Sequence, residues 1–143
     1  MKLLLRITVA GLIALGTIAA AQEATDPQVK ARQALMSTIG KNTKVLGDMA
    51  GGKAPFDAAA AGMAKAALIE ASARIPALFE PQATDPESEA KPEVWTNWDD
   101  YVTKAKALNT AVTNVDASSV ETIGAGMGAI GGSCKDCHST YRM

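Results

Sequence analysis

The sequence predicts an all-α fold, an antiparallel up-down-up-down four-helix bundle. Three observations lead there. Apolar residues recur at spacings of three and four in four separate segments. Asp, Ser, Gly and Pro punctuate the ends of those segments. Two short connections and one longer one join them, which favours antiparallel neighbours.

The first segment begins near Thr25-Asp26-Pro27, an N-cap residue followed by proline at the first helical position, and runs to about Asp48 before Gly51-Gly52. Leu35, Met36, Ile39, Leu46 and Met49 form its apolar stripe. The second begins at Asp57 after Pro55-Phe56 and carries Ala60, Met63, Ala67, Leu68, Ala71 and Ile75 before Pro76. Ala77 to Lys91, interrupted by Pro81 and Pro86, reads as a loop. The third opens at Pro92-Glu93 and places Trp98, Val102, Ala105, Leu108, Val112 and Val115 on one face. The fourth starts around Asp116 to Ser119 and repeats Val120, Ile123, Met127, Ile130, Cys134 and Cys137 or His138.

Within that fourth segment Gly124, Gly126, Gly128, Gly131 and Gly132 each cost a helix up to about 1 kcal/mol relative to alanine. Close approach of the backbone to a cofactor or a neighbouring helix is expected to offset this. Gly126 to Gly131 also spells G-x-G-x-x-G, but it follows helical rather than strand sequence, so the dinucleotide reading fails its context. No internal repeat is apparent.

The N-terminus has a different character. Lys2 and Arg6 precede the apolar run Ile7 to Ile18, which ends in Ala19-Ala20-Ala21. This is the pattern of a secretory signal peptide, residues 1–21, cleaved to leave a single domain of residues 22–143. The apolar run is short of the roughly 20 residues a membrane span needs, so no membrane anchor is expected after cleavage. Loss of Lys2 and Arg6 leaves 12 basic against 15 acidic residues, a net charge of −3, which argues against nucleic acid as a partner.

Cys134-Lys135-Asp136-Cys137-His138 contains the only two cysteines and the only histidine of the chain. On a helix, residues three apart lie on nearly one face, so both thiols can reach one edge of a porphyrin. The next side chain, an imidazole, can then ligate the iron. The spacing reads as a c-type haem attachment site, with one covalent haem c held through Cys134 and Cys137. A thioredoxin-like disulfide expects a βαβ context that is missing here, and a structural zinc site needs four ligands. Such thioethers are formed outside the bacterial cytoplasm, so the motif and the leader both point to the periplasm.

The motif at the end of the last helix of a four-helix bundle resembles the class II c-type cytochromes, the cytochrome c-prime family with its low-spin methionine-ligated members. The matching pieces, in order, are Arg32-Gln33-Ala34-Leu35-Met36, Gly52-Lys53-Ala54-Pro55-Phe56-Asp57, Pro92-Glu93-Val94-Trp95, and Gly131 through Arg142. The resemblance covers essentially all of residues 22–143. It implies Cys134 and Cys137 as thioether anchors and His138 as proximal ligand, with Arg142 beside the proximal histidine and Arg32 near a haem propionate. For both arginines the alternative is a solvated charge at a helix end.

The family divides at the sixth coordination position. High-spin members leave it open and can bind nitric oxide or carbon monoxide, whereas low-spin members fill it with a methionine and carry electrons. Met36 stands at the matching position. In an up-down-up-down bundle the end of the fourth helix lies beside the start of the first, so a ligand opposite His138 comes from the first helix's early turns. Met36 is ~15 Å along that helix and Met49 roughly 20 Å further, which leaves Met36 as the methionine candidate. The alternative is that Met36 only fills the core.

The expected function is electron transport with redox partner proteins and no substrate transformed. The competing one is binding of nitric oxide or carbon monoxide at an open iron face. A peroxidase-like enzyme is disfavoured because the single histidine is committed below the iron. The resemblance also implies a homodimer through the first two helices as an open alternative to a monomer.

Overall fold

The computed structural model describes residues 23–143, so the leader expected over residues 1–21 lies outside the described residues. Six helices follow in order: α1 (Pro27–Ala50), α2 (Ala58–Ala73), α3 (Ile75–Phe79), α4 (Glu93–Thr96), α5 (Trp98–Thr113) and α6 (Val120–Tyr141). The four long ones, α1, α2, α5 and α6, form the bundle. Each packs on its neighbour in the chain, and α6 closes the square against α1. Among the described residues no helix is long and apolar enough to cross a membrane.

The helix starts follow local chemistry. The Asp26 carboxylate accepts the amides of Gln28 at 2.8 Å and Val29 at 3.0 Å, with Pro27 filling the position whose amide needs no partner. Asp57 caps α2 through the Ala60 amide at 2.9 Å. Ser119 and Thr122 form a reciprocal capping box at the start of α6. After α1 the chain turns through Gly52, whose φ of +69° lies in the left-handed region that glycine enters without a side-chain clash.

Several expectations are corrected. The stretch from Ala77 to Lys91 is not all loop, because α3 runs to Phe79 with Pro76 in its first turn, where proline is tolerated. The third helical segment is two helices, divided at Asn97 (φ −118°, ψ 44°). The Trp95 indole donates to the Phe79 carbonyl at 2.7 Å, which ties α4 to the end of α3.

On α2 the buried face is Ala61, Ala64, Leu68, Ala71 and Ser72, while Met63 is 68% exposed and Ile75 belongs to α3. Alanines lie all round this helix, so apolar periodicity specifies its face poorly. On α5, Tyr101 is buried with Ala105, Leu108 and Val112, and Trp98 and Val102 are only partly covered. Of the α6 glycines, Gly126 is the one that packing requires: a Cβ there would sit 2.7 Å from a Val115 methyl. No other helix among the described residues comes within 4 Å of a Cβ placed on Gly128, Gly131 or Gly132, so helix packing does not require glycine there.

The core, centred on Leu46, Leu68, Val112 and Ile123, fills the end of the bundle remote from the chain termini. At the other end the helices part around a cavity.

Candidate functional site

The cavity measures about 500 Å³, within the range of cofactor pockets. Its wall from α1 is Val29, Arg32, Gln33, Met36, Ile39, Gly40 and Thr43. The opposite wall, from α6, presents Ser133, Cys134, Cys137, His138 and Tyr141. Tyr101, Lys104, Ala105 and Leu108 of α5 close one side. All six residues singled out from the sequence, Arg32, Met36, Cys134, Cys137, His138 and Arg142, therefore meet at one cavity formed by helices from the two ends of the chain.

The α1–α6 register sets the level of each group. A Cβ on Gly47 would lie 3.5 Å from the Met127 methyl, and one on Gly124 would lie 4.0 Å from Ala50. Both contacts belong to a single antiparallel register. Met36 lies eleven residues before Gly47 and His138 eleven after Met127, so equal rise along the two helices brings them level across the cavity. The same register sets Gly40 level with Cys134 and Arg32 level with Arg142. Of the other methionines in the described residues, Met49 is buried in the core, Met63 and Met143 are exposed, and none of these nor Met127 reaches the cavity.

Cys134 and Cys137 are free, half-buried thiols on one face of α6. Burial raises both pKa values, that of Cys137 to about 11. That upward shift is opposite to the depressed thiol pKa of redox dithiols. His138, one residue beyond Cys137, has its pKa lowered by desolvation and by the nearby Arg142 charge, with Glu89 acting the other way. A neutral imidazole is the form that ligates iron.

The two arginines differ sharply. Arg32 is only 3% exposed, so it is no solvated helix-end charge. Its Nε donates to the Leu78 carbonyl at 3.0 Å and one terminal nitrogen donates to the Pro81 carbonyl. The guanidinium lies over the rings of Phe79 and Trp95, 5.1 and 5.2 Å from their centroids. Its remaining nitrogen, Nη1, is buried with no partner among the described residues. A desolvated cation on the wall of a cavity is stabilised by an anion on whatever occupies that cavity. A haem propionate is such an anion, and the apolar walls, paired thiols and imidazole fit the rest of the group.

Arg142 is about half exposed and already engaged. Its Nε and Nη2 reach one oxygen of Glu89 at 2.6 and 2.5 Å, and this contact holds the Glu89 carboxyl below the usual range.

Sequence reasoning missed three groups around the site. Tyr101 is buried against Trp98, Phe79 and Tyr141, and burial pushes its phenol far up. Its position four residues before Ala105 and seven before Leu108 carried the signal. Tyr141 donates to Asp100 at 2.5 Å, which pins the end of α6 to the start of α5. Lys104 pairs with Asp136 at 2.6 Å beside Cys137. These last two pairs join residues about 40 and 32 positions apart, and no local pattern announces them.

Comparison with known proteins agrees with this geometry. The family model described as cytochrome c' matches residues 27–142. A cytochrome c-556 of Agrobacterium tumefaciens (strain apple 185) is 36% identical over 117 residues, 79% of this chain and 92% of the relative. A cytochrome c' of Rhodopseudomonas palustris is 36% identical over 142 residues, 94% of this chain and 93% of the relative. Among solved structures, the nitric oxide complex of a variant cytochrome c prime from Alcaligenes xylosoxidans superposes with a TM-score of 0.71 at 28% identity, covering 84% of this chain and 98% of that one. The chain belongs to the cytochrome c' family of haem proteins, and it carries haem c covalently through its only two cysteines, Cys134 and Cys137.

Proposed function

We propose that this protein is an exported, periplasmic electron carrier in which His138 is the proximal iron ligand and Met36 the sixth. Residues 1–21 are the cleaved leader and residues 22–143 the working domain. The observation that carries this reading is the placement of Met36 and His138 on facing helices, level with each other across one cavity. Haem c supplies one-electron cycling between ferric and ferrous iron. The residues of the chain supply anchoring, ligation and a dry environment. Cys134 and Cys137 would anchor the macrocycle, His138 would ligate its iron from the same helix, and the Arg32 cation in the cavity wall would offset the charge of a propionate.

The α1 wall supports a carrier rather than an enzyme. It offers Val29, Arg32, Gln33, Met36, Ile39, Gly40 and Thr43, with no carboxylate or histidine to act as acid or base on that side. A thioether in the sixth position raises the reduction potential and leaves the iron's ligands unchanged as it gains and loses an electron.

Binding of nitric oxide or carbon monoxide is the second reading, favoured by one comparison. A solved relative, the cytochrome c prime of Alcaligenes xylosoxidans at 28% identity, is a nitric oxide complex. Visible spectra of the oxidised and dithionite-reduced holoprotein decide between the two. A sharp low-spin pattern with a weak ferric band near about 695 nm, lost in Met36→Ala, is the expected result for a carrier. A broad high-spin spectrum that Met36→Ala leaves unchanged overturns Met36 ligation and makes gas binding the function. His138→Ala retaining the native spectrum overturns the proximal assignment.

A further inference from the structure

The end of α6 that bears His138 is strapped down by the connection before α4. Ala90 forms an antiparallel bridge with Arg142. The Lys91 amide donates to the Tyr141 carbonyl and the Met143 amide donates to the Glu89 carbonyl, both at 2.9 Å. Residues 89–91 thus run alongside 141–143 as a short two-stranded clasp. Arg142 caps α6 as well, its amide donating to the His138 carbonyl at 3.1 Å. The Glu89 side chain then takes both Nε and Nη2 of Arg142 on a single oxygen. Glu89, His138 and Arg142 all face the cavity.

A cation fixed beside the iron's proximal ligand favours the ferrous form, because reduction adds negative charge there. An anion paired to that cation removes most of its field. The clasp fixes the position of both charges, since backbone hydrogen bonds hold the two residues that carry them.

We propose that Glu89 is a positioning residue for the proximal side of the haem: anchored in the clasp, it fixes and neutralises Arg142 and so lowers the reduction potential of the iron. This rests on His138 being the proximal ligand. It assigns a role to a residue of the connecting segment, outside the attachment motif.

The test is a mediated redox titration of wild-type holoprotein, Glu89→Gln, Arg142→Gln and the double variant at low and high salt. Glu89→Gln keeps an oxygen for the hydrogen bond and removes only the charge. It is expected to favour the ferrous form about threefold, which is about 28 mV upward at 59 mV per tenfold for one electron. Arg142→Gln is expected to move the potential down, the double variant to lie near wild type, and the shifts to shrink at high salt. Arg142→Gln reads the same pair from the other side should Glu89→Gln fail to fold.

Potentials that stay within a few mV of wild type, or that move the same way in both single variants, overturn the proposal and leave the clasp a structural device. Failure of the underlying assignment shows separately, as a His138→Ala spectrum identical to wild type.

Discussion

Arg32→Ala tests the account of the cavity most directly. The wild-type guanidinium makes two hydrogen bonds to main-chain carbonyls, from Leu78 and Pro81, and lies over two aromatic rings while only 3% exposed. Charge-assisted hydrogen bonds contribute about 1.5–3 kcal/mol each, and each cation–π contact adds about 0.5–1 kcal/mol. Relief of the buried charge offsets part of this, while two carbonyls and a void are left behind. A net loss of about 4 kcal/mol is expected in urea denaturation of the holoprotein, or a fall in Tm of about 15 °C for a domain of this size. Arg32→Lys should recover less than half of the loss, because one ammonium on a flexible stem cannot reproduce the guanidinium fork. The Glu80–Pro81 stretch should also become more accessible to protease, since its tie to α1 is gone. A loss below about 1 kcal/mol with an unchanged denaturant slope would instead mark Arg32 as a solvated charge.

Gly126→Ala should destabilise by about 1–3 kcal/mol through the clash with Val115, whereas Gly128→Ala, facing open space on the same helix, should stabilise by up to about 1 kcal/mol. Paired thermal melts check both, and equal effects would contradict the packing of α6 on the α5–α6 turn. Asp85 accepts the amides of Thr25, Asp26 and Glu87, which hold its carboxyl far below the ordinary carboxylate range. Its contribution is complete above the unfolded pKa of about 4 and is lost as pH falls through the lower folded value, so Asp85→Asn should flatten the acid limb of the stability curve measured by urea midpoint. Burial, and then the hydrogen bond to Asp100, push the Tyr141 phenol up to about 12. Folding favours its neutral form, so that stabilisation is present below about pH 10 and disappears as pH rises towards 12. Tyr141→Phe should lose about 1.5–3 kcal/mol at neutral pH and show no such alkaline decline, as read by stability against pH.

Much of this protein was determined within a few residues of sequence. Asp26, Asp57 and Ser119 start their helices through amides two or three positions on, and Gly52 needs only its own φ. The attachment motif is equally local, because one turn of α6 places Cys134, Cys137 and His138 together whatever the rest of the chain does. Helix order and the direction of each helix follow from connection lengths, and with them the meeting of Met36 and His138. Tertiary structure decided what depends on partners far along the chain. Arg32 carries the same charge as any surface arginine, and carbonyls 46 and 49 residues away make it a buried cation with a spare donor. An alanine-rich α2 has no intrinsic inner face, and packing against α1 and α5 exposes Met63 and buries Ala61. Asn97 divides the third segment, and the Trp95 indole just before it is tied to the Phe79 carbonyl sixteen residues back. Glu89 meets Arg142 only because the clasp brings together two segments more than fifty residues apart, and side chains that distant interact through the fold rather than through sequence spacing.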